Sequence, residues 1–275
     1  MNHKIQIGIV GQGYVGKAIK SGFKLYDKDI KYYDKFHESK SNVGSIGDLA
    51  EACNIFFICV PTPMCKDGSC DTSIVEKVIC DIDKYKSKSL NKNIAIIKST
   101  IPPGTTEKIS NKINNIDIIF NPEFLTEKNF IEDFKNQDKI ILGGNEDSVN
   151  IISSMYSSVF SDAKIIKTDS KTAEMVKYFI NTFLATKVAF ANEIKIICDS
   201  IDIEYDKVIE YAIYDKRIGD SHLSVPGHDG HLGFGGSCFP KDINALIEFA
   251  KSNNIDPIVL KSVWDLNLKV RPEKD

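Results

Sequence analysis

The stretch KIQIGIVGQGYVG, residues 4–16, joins an apolar run to three closely spaced glycines. The run over 4–10 predicts a buried β-strand, and the residues from 14 to 25 predict a helix. Gly11, Gly13 and Gly16 permit a tight turn, and the helix N-terminus after it offers N–H groups and partial positive charge to a pyrophosphate. Because a GxGxxG motif alone is weak evidence, its surroundings must decide what it indicates.

An acid follows the glycine motif at the position that dinucleotide binding requires. The second predicted strand, residues 30–34, ends at Asp34, roughly 20 residues beyond Gly11. A carboxylate there can bind both ribose hydroxyls and repels a 2′-phosphate, so the pattern favours NAD over NADP, although Lys35 softens that preference. The alternative is a glycine turn that only packs helix on strand. Strand, motif, helix and acid in register favour dinucleotide binding.

The first part of the chain alternates apolar runs with helical patterns. Continuous apolar runs are typical of a parallel sheet that is covered on both faces. We therefore predict a Rossmann-like, doubly wound α/β domain over residues 1–168. Its predicted strands are 4–10, 30–34, 54–60, 93–99, 116–120, 139–144 and 163–168, and its predicted helices are 14–25, 46–52, 72–86, 104–113 and 146–159.

The pattern changes after residue 168. One helical stretch covers about 170–201, with apolar residues mostly three or four positions apart. At ~1.5 Å per residue it would span roughly 45 Å, which suits a linker between domains or the core of a dimer. Helices at 205–214, 241–252 and 256–269 follow, so we predict an all-helical central domain over 169–275. We expect a homodimer formed through the long helix.

Composition excludes several classes of protein. A net charge of −3 over 275 residues gives no indication of nucleic acid or an anionic membrane as partner. No run approaches the ~18 apolar residues of a membrane span, and the N-terminus lacks the pattern of a signal peptide. The odd number of irregularly spaced cysteines predicts a reducing, cytoplasmic setting. Cys65 and Cys70 flank a turn without a second Cys/His pair, so no metal is predicted.

Near the C-terminal end, GFGGSCFPKD (233–242) places Cys238 between a glycine-rich loop and the start of a helix. Such a cysteine is either a packed thiol or a nucleophile, and its own neighbourhood does not decide between them.

Several motifs in order resemble those of the UDP-glucose/GDP-mannose dehydrogenase family, and the resemblance covers residues 4 to about 271. They are VPTP (60–63), STIPPGTT (99–106), NPEFLTE (121–127), KYFINTFLATKVAFANE (177–193), DKRIG (215–219) and GFGGSCFPKD (233–242). The resemblance implies an enzyme that oxidises a nucleotide-sugar alcohol twice, through an aldehyde and a cysteine thioester, to a uronic acid. It consumes two NAD, and UDP-glucose is the expected substrate.

The resemblance implies roles for particular residues, and each role has a plainer alternative. Cys238 is the expected nucleophile, because a thiolate can attack an aldehyde. Asp242 would handle water, although an acid in a first helical turn also suits the helix dipole. Lys177 and Asn181 lie at i and i+4 on the long helix and would stabilise oxyanion charge and order water. Without the resemblance, Lys177 would be taken as a solvated lysine.

Further residues follow by the same resemblance. Glu123 is the expected base or water relay, Thr100 would hydrogen-bond catalytic water, and Glu127 would position sugar or cofactor unless it is only a helix-terminal acid. The expected cofactor-binding residues are Gly11, Gln12, Gly13, Tyr14, Val15, Gly16, Asp34, Lys35, Val60, Pro61, Thr62, Thr100, Glu127 and Lys241. The expected substrate-binding residues are Glu123, Phe124, Leu125, Lys177, Asn181, Arg217, Phe234, Gly235 and Cys238.

Two features in the second half have competing interpretations. Arg217 matches an arginine that, in this family, reaches the substrate across a dimer interface, and a surface salt bridge is the alternative. His222, His228 and His231 lie close to Asp229 and invite a metal site. We favour a flexible substrate loop, because the family needs no metal.

The resemblance also implies a C-terminal domain that binds the nucleotide of the substrate, and these 275 residues do not include it. The alternatives are therefore a dehydrogenase of GDP-mannose, UDP-N-acetylmannosamine or a simple 3-hydroxy acid, or a low-activity NAD-binding dimerisation module. A 3-hydroxy acid enzyme would not need Cys238. A non-catalytic module has no reason to keep Cys238, Lys177, Asn181 and Asp242 together.

Overall fold

The computed structural model describes residues 5–24, 26, 27, 29–87 and 92–272. The predicted first strand and first helix each extend to one residue outside this range, 4 and 25, and the predicted central domain extends beyond it at 273–275. The chain divides into two compact units, Met1–Pro63 with Asp71–Lys177 and Met64–Cys70 with Tyr178–Asp275. The predicted domain boundary between 168 and 169 stays a prediction.

A seven-stranded sheet lies within the described part of the first unit, with strand order β2-β1-β3-β4-β5-β6-β7. In this sheet β5 and β6 pair antiparallel, and the other neighbouring strands pair in parallel. The order reverses between β1 and β3, as in doubly wound sheets. The strands are β1 (Ile7–Val10), β2 (Lys31–Tyr33), β3 (Ile55–Ile58), β4 (Ile94–Ile97), β5 (Asp117–Phe120), β6 (Lys139–Gly144) and β7 (Lys164–Thr168).

Helices of the first unit connect these strands, which confirms the predicted Rossmann-like α/β class. They are α1 (Tyr14–Phe23), α2 (Ile46–Ala52), α3 (Ser73–Lys84), α4 (Thr105–Ser110), α5 (Phe130–Lys135) and α6 (Glu146–Ser157). Helix α5, which has six residues, was not predicted.

The apolar strands are buried on both faces, as their continuous runs predict. In β3, Ile55 and Phe57 join one apolar cluster, while Phe56 and Ile58 join another on the opposite face. This alternation follows from the two-residue period of a strand. All four side chains are at most 1% exposed. Full burial of each contributes roughly 1.5–3 kcal/mol, so the sheet supplies a rigid platform for the loops at its edge.

The predicted long helix is present as α7 (Ser170–Ser200), and it passes from the first unit into the second after Lys177. The second unit continues with α8 (Tyr205–Ala212), α9 (Phe239–Ser252) and α10 (Ile258–Val270). One of its apolar clusters joins Ala185 and Ala189 of α7 to Ile247 of α9 and Val263 of α10. The predicted helical central domain is therefore confirmed.

Within the part of the chain that the structure describes, no helix is both long and apolar enough to cross a membrane.

Candidate functional site

The glycine turn after β1 is shaped for backbone contact. Gly11 has a left-handed φ of 91°, and its N–H donates to the Tyr33 carbonyl oxygen at 2.9 Å. A Cβ on Gly11 would overlap the Cys59 carbonyl, and a Cβ on Gly16 would overlap the Gly11 carbonyl. A Cβ on Gly13 would meet none of the described atoms within 4 Å. Gly11 and Gly16 are thus packed closely against backbone atoms, whereas an open cradle remains beside Gly13 at the α1 N-terminus. This arrangement fits a dinucleotide phosphate.

Asp34 is fixed beside this turn. Its carboxylate accepts the backbone N–H of Gln12 at 2.9 Å and that of Phe36 at 3.0 Å. Because a carboxylate offers about four acceptor sites, capacity remains for ribose hydroxyls. Lys35 is exposed, whereas Gln12 is buried. The geometry of this turn therefore agrees with the chemistry that the sequence predicts for NAD.

The loops after β3 and β4 lie side by side at the carboxyl edge of the sheet. The Ser99 hydroxyl donates to the Val60 carbonyl oxygen at 2.6 Å. Among the neighbouring predicted cofactor residues, Thr62 is buried, Thr100 is half-buried and Pro61 is exposed. Ligands of open α/β sheets bind at this edge.

Glu174, near the start of α7, holds the turn that follows Thr100. One carboxylate oxygen accepts the Gly104 N–H at 2.5 Å. The other accepts the Thr106 N–H at 2.9 Å and the Thr106 hydroxyl at 2.6 Å. Glu174 is fully buried, and this burial raises the pKa of its carboxyl against the opposing effect of these hydrogen bonds. The carboxylate thus caps α4 from outside that helix.

Glu123 and Lys177, both predicted site residues, form a buried pair in the first unit. The Lys177 ammonium donates to the Glu123 carbonyl oxygen at 2.6 Å and to Glu123 Oε1 at 3.1 Å. Glu123 Oε2 accepts the Leu125 N–H at 2.7 Å. The two residues are 8% and 4% exposed, so water screens their charges little. An acceptor and a fixed cation therefore lie together, as proton transfer from an alcohol requires.

Lys98 is a further buried cation that the sequence analysis missed. Its ammonium donates to Asn121 Oδ1 at 2.9 Å and to the Pro122 carbonyl oxygen at 3.4 Å. The Tyr156 hydroxyl donates to the same Asn121 oxygen at 2.6 Å. Burial lowers the pKa of Lys98 from 10.5 to about 8. Its position directly after the buried IAII run of β4 was the available signal.

A cavity of about 420 Å³ lies against Glu123 within the first unit. This volume falls in the range of small-molecule sites. Phe124 and Leu125 contribute apolar surface to its wall. The charged residues of the wall are Lys98, Glu123, Glu132, Asp133, Asp138 and Lys139. Phe124 and Leu125, which are predicted to bind substrate, thus both line this cavity.

Helix α5 fixes the far end of the NPEFLTE loop. Asp133 Oδ2 accepts the Thr126 N–H at 2.8 Å and the Thr126 hydroxyl at 2.6 Å. The Phe130 ring meets the Tyr14 ring of α1 edge-on, with centroids 6.3 Å apart. Glu127 is exposed on this loop. Helix α5 therefore contacts both the NPEFLTE loop and the first residue of α1, which follows the glycine turn.

In the second unit, Cys238 is the N-cap residue of α9 and is half-buried. Its carbonyl oxygen accepts the Asp242 N–H at 2.9 Å. The Asp242 carboxylate accepts Asn181 Nδ2 at 2.6 Å and Lys241 Nζ at 2.5 Å. Asp242 is 1% exposed, so these charge-assisted bonds hold it firmly. Asn181, Lys241, Asp242 and Cys238 are thus brought together as predicted site residues.

Arg217 and the histidines lie on exposed segments. The Arg217 side chain is 88% exposed and forms an ion pair with Asp215. These contacts match the plainer alternative for Arg217, and its role across a dimer interface stays a prediction. Among the described residues, no group of three or more His, Cys, Asp and Glu side chains could hold a metal ion.

Comparison with known proteins identifies the family. Residues 42–161 match the NAD binding domain of the UDP-glucose/GDP-mannose dehydrogenase family, and residues 171–269 match its central domain. The chain belongs to this family.

Individual relatives agree with this assignment. The chain is 39% identical over 267 residues to a UDP-glucose 6-dehydrogenase of Rickettsia bellii, covering 94% of this chain and 59% of the relative. It is 36% identical over 302 residues to that of Rickettsia prowazekii, covering 98% and 68%. A solved UDP-glucose dehydrogenase from Pyrobaculum islandicum superposes with a TM-score of 0.86 at 29% identity, covering 97% of this chain and 68% of that one. The chain thus spans about 60–70% of the length of these relatives.

Proposed function

We propose that this chain carries the catalytic residues of an NAD-dependent nucleotide-sugar 6-dehydrogenase that converts UDP-glucose to UDP-glucuronate. The observation that supports it most is Cys238 at the start of α9, with Asp242 and Asn181 hydrogen-bonded one helical turn away. The buried Glu123–Lys177 pair adds the groups that an alcohol oxidation needs. Relatives with the name UDP-glucose 6-dehydrogenase favour this substrate.

The glycine turn and Asp34 would hold the cofactor, the turn through its open cradle and Asp34 through the ribose hydroxyls. Bound NAD supplies the hydride acceptor for both oxidations. Val60, Thr62 and Thr100 lie on the loops at the same sheet edge and would line its nicotinamide end.

In the first oxidation, Glu123 accepts the proton of the substrate's primary alcohol, directly or through a water molecule. The Lys177 ammonium stabilises the alkoxide as the carbon loses hydride, and an aldehyde results. Because Lys177 is held by two oxygens of Glu123, its charge stays in place without reorganisation.

In the second oxidation, the Cys238 thiolate adds to the aldehyde carbon and gives a thiohemiacetal. Loss of its proton and of a second hydride leaves a thioester. Water then breaks the carbon–sulfur bond, releasing the carboxylate and regenerating the thiol. Asp242 accepts the proton of this water. Asn181 orients the Asp242 carboxylate through the hydrogen bond between them. The sum is one alcohol, one water and two NAD giving one carboxylate, two NADH and three protons.

A homodimer through α7 and a cytoplasmic location complete the proposal. Three exposed phenylalanines of α7, Phe179, Phe183 and Phe190, support the dimer. Arg217, which is exposed, would then reach the substrate of the partner subunit.

The test is a substrate panel with purified protein and NAD. UDP-glucose, GDP-mannose and UDP-N-acetylmannosamine are each added in limiting amount, and NADH is followed by absorbance. UDP-glucose should yield two NADH per sugar, with NADP as a poor substitute for NAD. A preference for either other sugar would reassign the substrate. NAD binding without NADH from any sugar would favour the non-catalytic module and contradict the proposal.

A further inference from the structure

The loop before Cys238 is rich in glycine yet held by buried side chains. Gly233 and Gly236 have left-handed φ values of 65° and 76°, which glycine adopts without steric cost. Glycine also has more backbone freedom than other residues, so this loop needs other contacts to hold one conformation. Asn267 of α10 pairs with the neighbouring Phe234 at two points. Its Oδ1 accepts the Phe234 N–H at 2.7 Å, and its Nδ2 donates to the Phe234 carbonyl oxygen at 3.1 Å.

A second asparagine, from α7, holds the preceding residue. Asn192 Oδ1 accepts the Gly233 N–H at 3.0 Å, and its Nδ2 donates to the Val188 carbonyl oxygen at 2.8 Å. Asn192 and Asn267 are 2% and 3% exposed. Buried amides destabilise a fold unless they are paired, and a fully paired arrangement specifies one backbone conformation.

The anchored residues lead directly to the cysteine. The Phe234 ring is 4% exposed, and it meets the Phe239 ring nearly at right angles, with centroids 6.2 Å apart. Phe239 follows Cys238 and is the first residue of α9. A Cβ on Gly233 would overlap Asn267 Oδ1, so the glycine and the asparagine fit each other.

We propose that Asn267 and Asn192 are positioning residues for Cys238. They fix the backbone of Gly233 and Phe234, and Phe234 fixes Phe239 at the start of α9, so that the sulfur keeps one location. The importance of that location for chemistry rests on the proposed function, whereas the anchoring itself does not.

The anchoring is tested on the thiol, without turnover. Wild type, Asn267→Leu and Val263→Ala are treated with iodoacetamide, and the alkylation of each cysteine is followed by peptide mass spectrometry. The exposed Cys65 serves as internal reference. Val263 is the matched control, because it lies one turn before Asn267 on α10 and belongs to the same apolar cluster as Phe234. Its side chain makes no hydrogen bond to the loop.

Asn267→Leu should raise the Cys238 rate relative to Cys65 by at least about fivefold, because the half-buried sulfur becomes exposed more often. Val263→Ala should leave this ratio near that of wild type. Equal ratios in the two variants would reduce Asn267 to a structural residue and overturn the proposal. If Asn267→Leu does not fold, Asn192→Ala decides: an increased ratio supports positioning, and an unchanged ratio refutes it.

Turnover supplies a separate measurement. If the protein oxidises a nucleotide sugar, Asn267→Leu should lower kcat by at least about tenfold while the KM for NAD stays unchanged. Absence of NADH with wild type would contradict the proposed function and leave the alkylation result intact.

Discussion

At the scale of single residues, Lys98 shows how burial sets chemistry. Its ammonium lies beside Cys59, Glu123 and Lys177, and it donates to Asn121. Desolvation disfavours the charged form of the lysine, while the nearby Glu123 carboxylate favours it. Desolvation has the larger effect, and it also raises the pKa of the Cys59 thiol to about 12. Lys98 therefore loses its proton far more easily when the chain is folded.

This pKa predicts a pH-dependent stability. The unfolded chain retains the Lys98 proton up to about pH 10.5, whereas the folded chain releases it near pH 8. Between these values the unfolded state binds more protons, so the free energy of unfolding rises with pH. The free energy of unfolding of the wild type, minus that of Lys98→Met, should rise by up to about 3 kcal/mol across this range. Urea unfolding at pH 7, 8, 9 and 10 measures it, and a constant difference would contradict it.

Cys238 yields a second prediction at this scale. Cys238→Ser should lower formation of the uronic acid by at least about 1,000-fold, because a serine hydroxyl is a much weaker nucleophile than a thiolate. Slow release of aldehyde should remain. Chromatography of the products together with NADH absorbance distinguishes the uronic acid from the aldehyde. Cys65→Ser, at an exposed cysteine, is the control. Unchanged turnover in Cys238→Ser would exclude the thioester mechanism.

At the scale of elements, the glycines of the first turn have separable tasks. Gly16 packs against the backbone of the turn, while Gly13 borders open space at the α1 N-terminus. We therefore expect Gly16 to be needed for the fold and, under the proposed function, Gly13 for the ligand. The two residues belong to one motif, so the sequence alone does not separate these tasks.

Paired valine variants test this separation. Gly13→Val should weaken NAD binding at least about tenfold, and it should destabilise the fold less than Gly16→Val does, because only the N-cap of α1 changes. Gly16→Val should destabilise the fold by about 1–3 kcal/mol or more, because its side chain would enter occupied space. Calorimetric titration with NAD and urea unfolding measure both quantities. Full-affinity binding by a stable Gly13→Val variant would place the phosphate elsewhere.

At the scale of the whole molecule, α7 leaves an aromatic surface open. Phe179, Phe183 and Phe190 are 64%, 54% and 59% exposed. The rings of Phe179 and Phe183 stack, with centroids 6.0 Å apart and planes 7° apart. Grouped exposed aromatic rings are typical of protein interfaces. The described surface thus supports the predicted dimer.

Charge placed on this surface should separate the subunits. Phe183→Glu should weaken self-association at least about 100-fold, because two copies of the carboxylate would be desolvated in one symmetric interface. Ile258→Glu, on α10 and 67% exposed, is the matched control. Sedimentation over a range of protein concentrations measures the change. A wild-type protein that stays monomeric would contradict the dimer and the role proposed for Arg217.

Residue patterns predicted the elements better than their arrangement. The Ile- and Phe-rich runs predicted the strands because burial on both faces leaves few polar positions. The same runs were taken to indicate a parallel sheet, so the antiparallel pairing of β5 with β6 was not predicted. Lys177 and Asn181 were singled out through the resemblance to the family, because helical spacing alone only places them on one face of α7. Lys98, Asn192 and Asn267 were missed because each of them binds a group that lies more than 20 residues away in the sequence.

Glu174 lies on α7, yet it supplies the N-terminal cap of α4. The turn STIPPGTT is therefore not a portable module. Moved into another scaffold as a contiguous peptide, it would arrive without its carboxylate and with orphaned N–H groups at Gly104 and Thr106. A designer who grafts this loop must graft one turn of α7 with it, in register, because the sequence that folds the turn is not continuous.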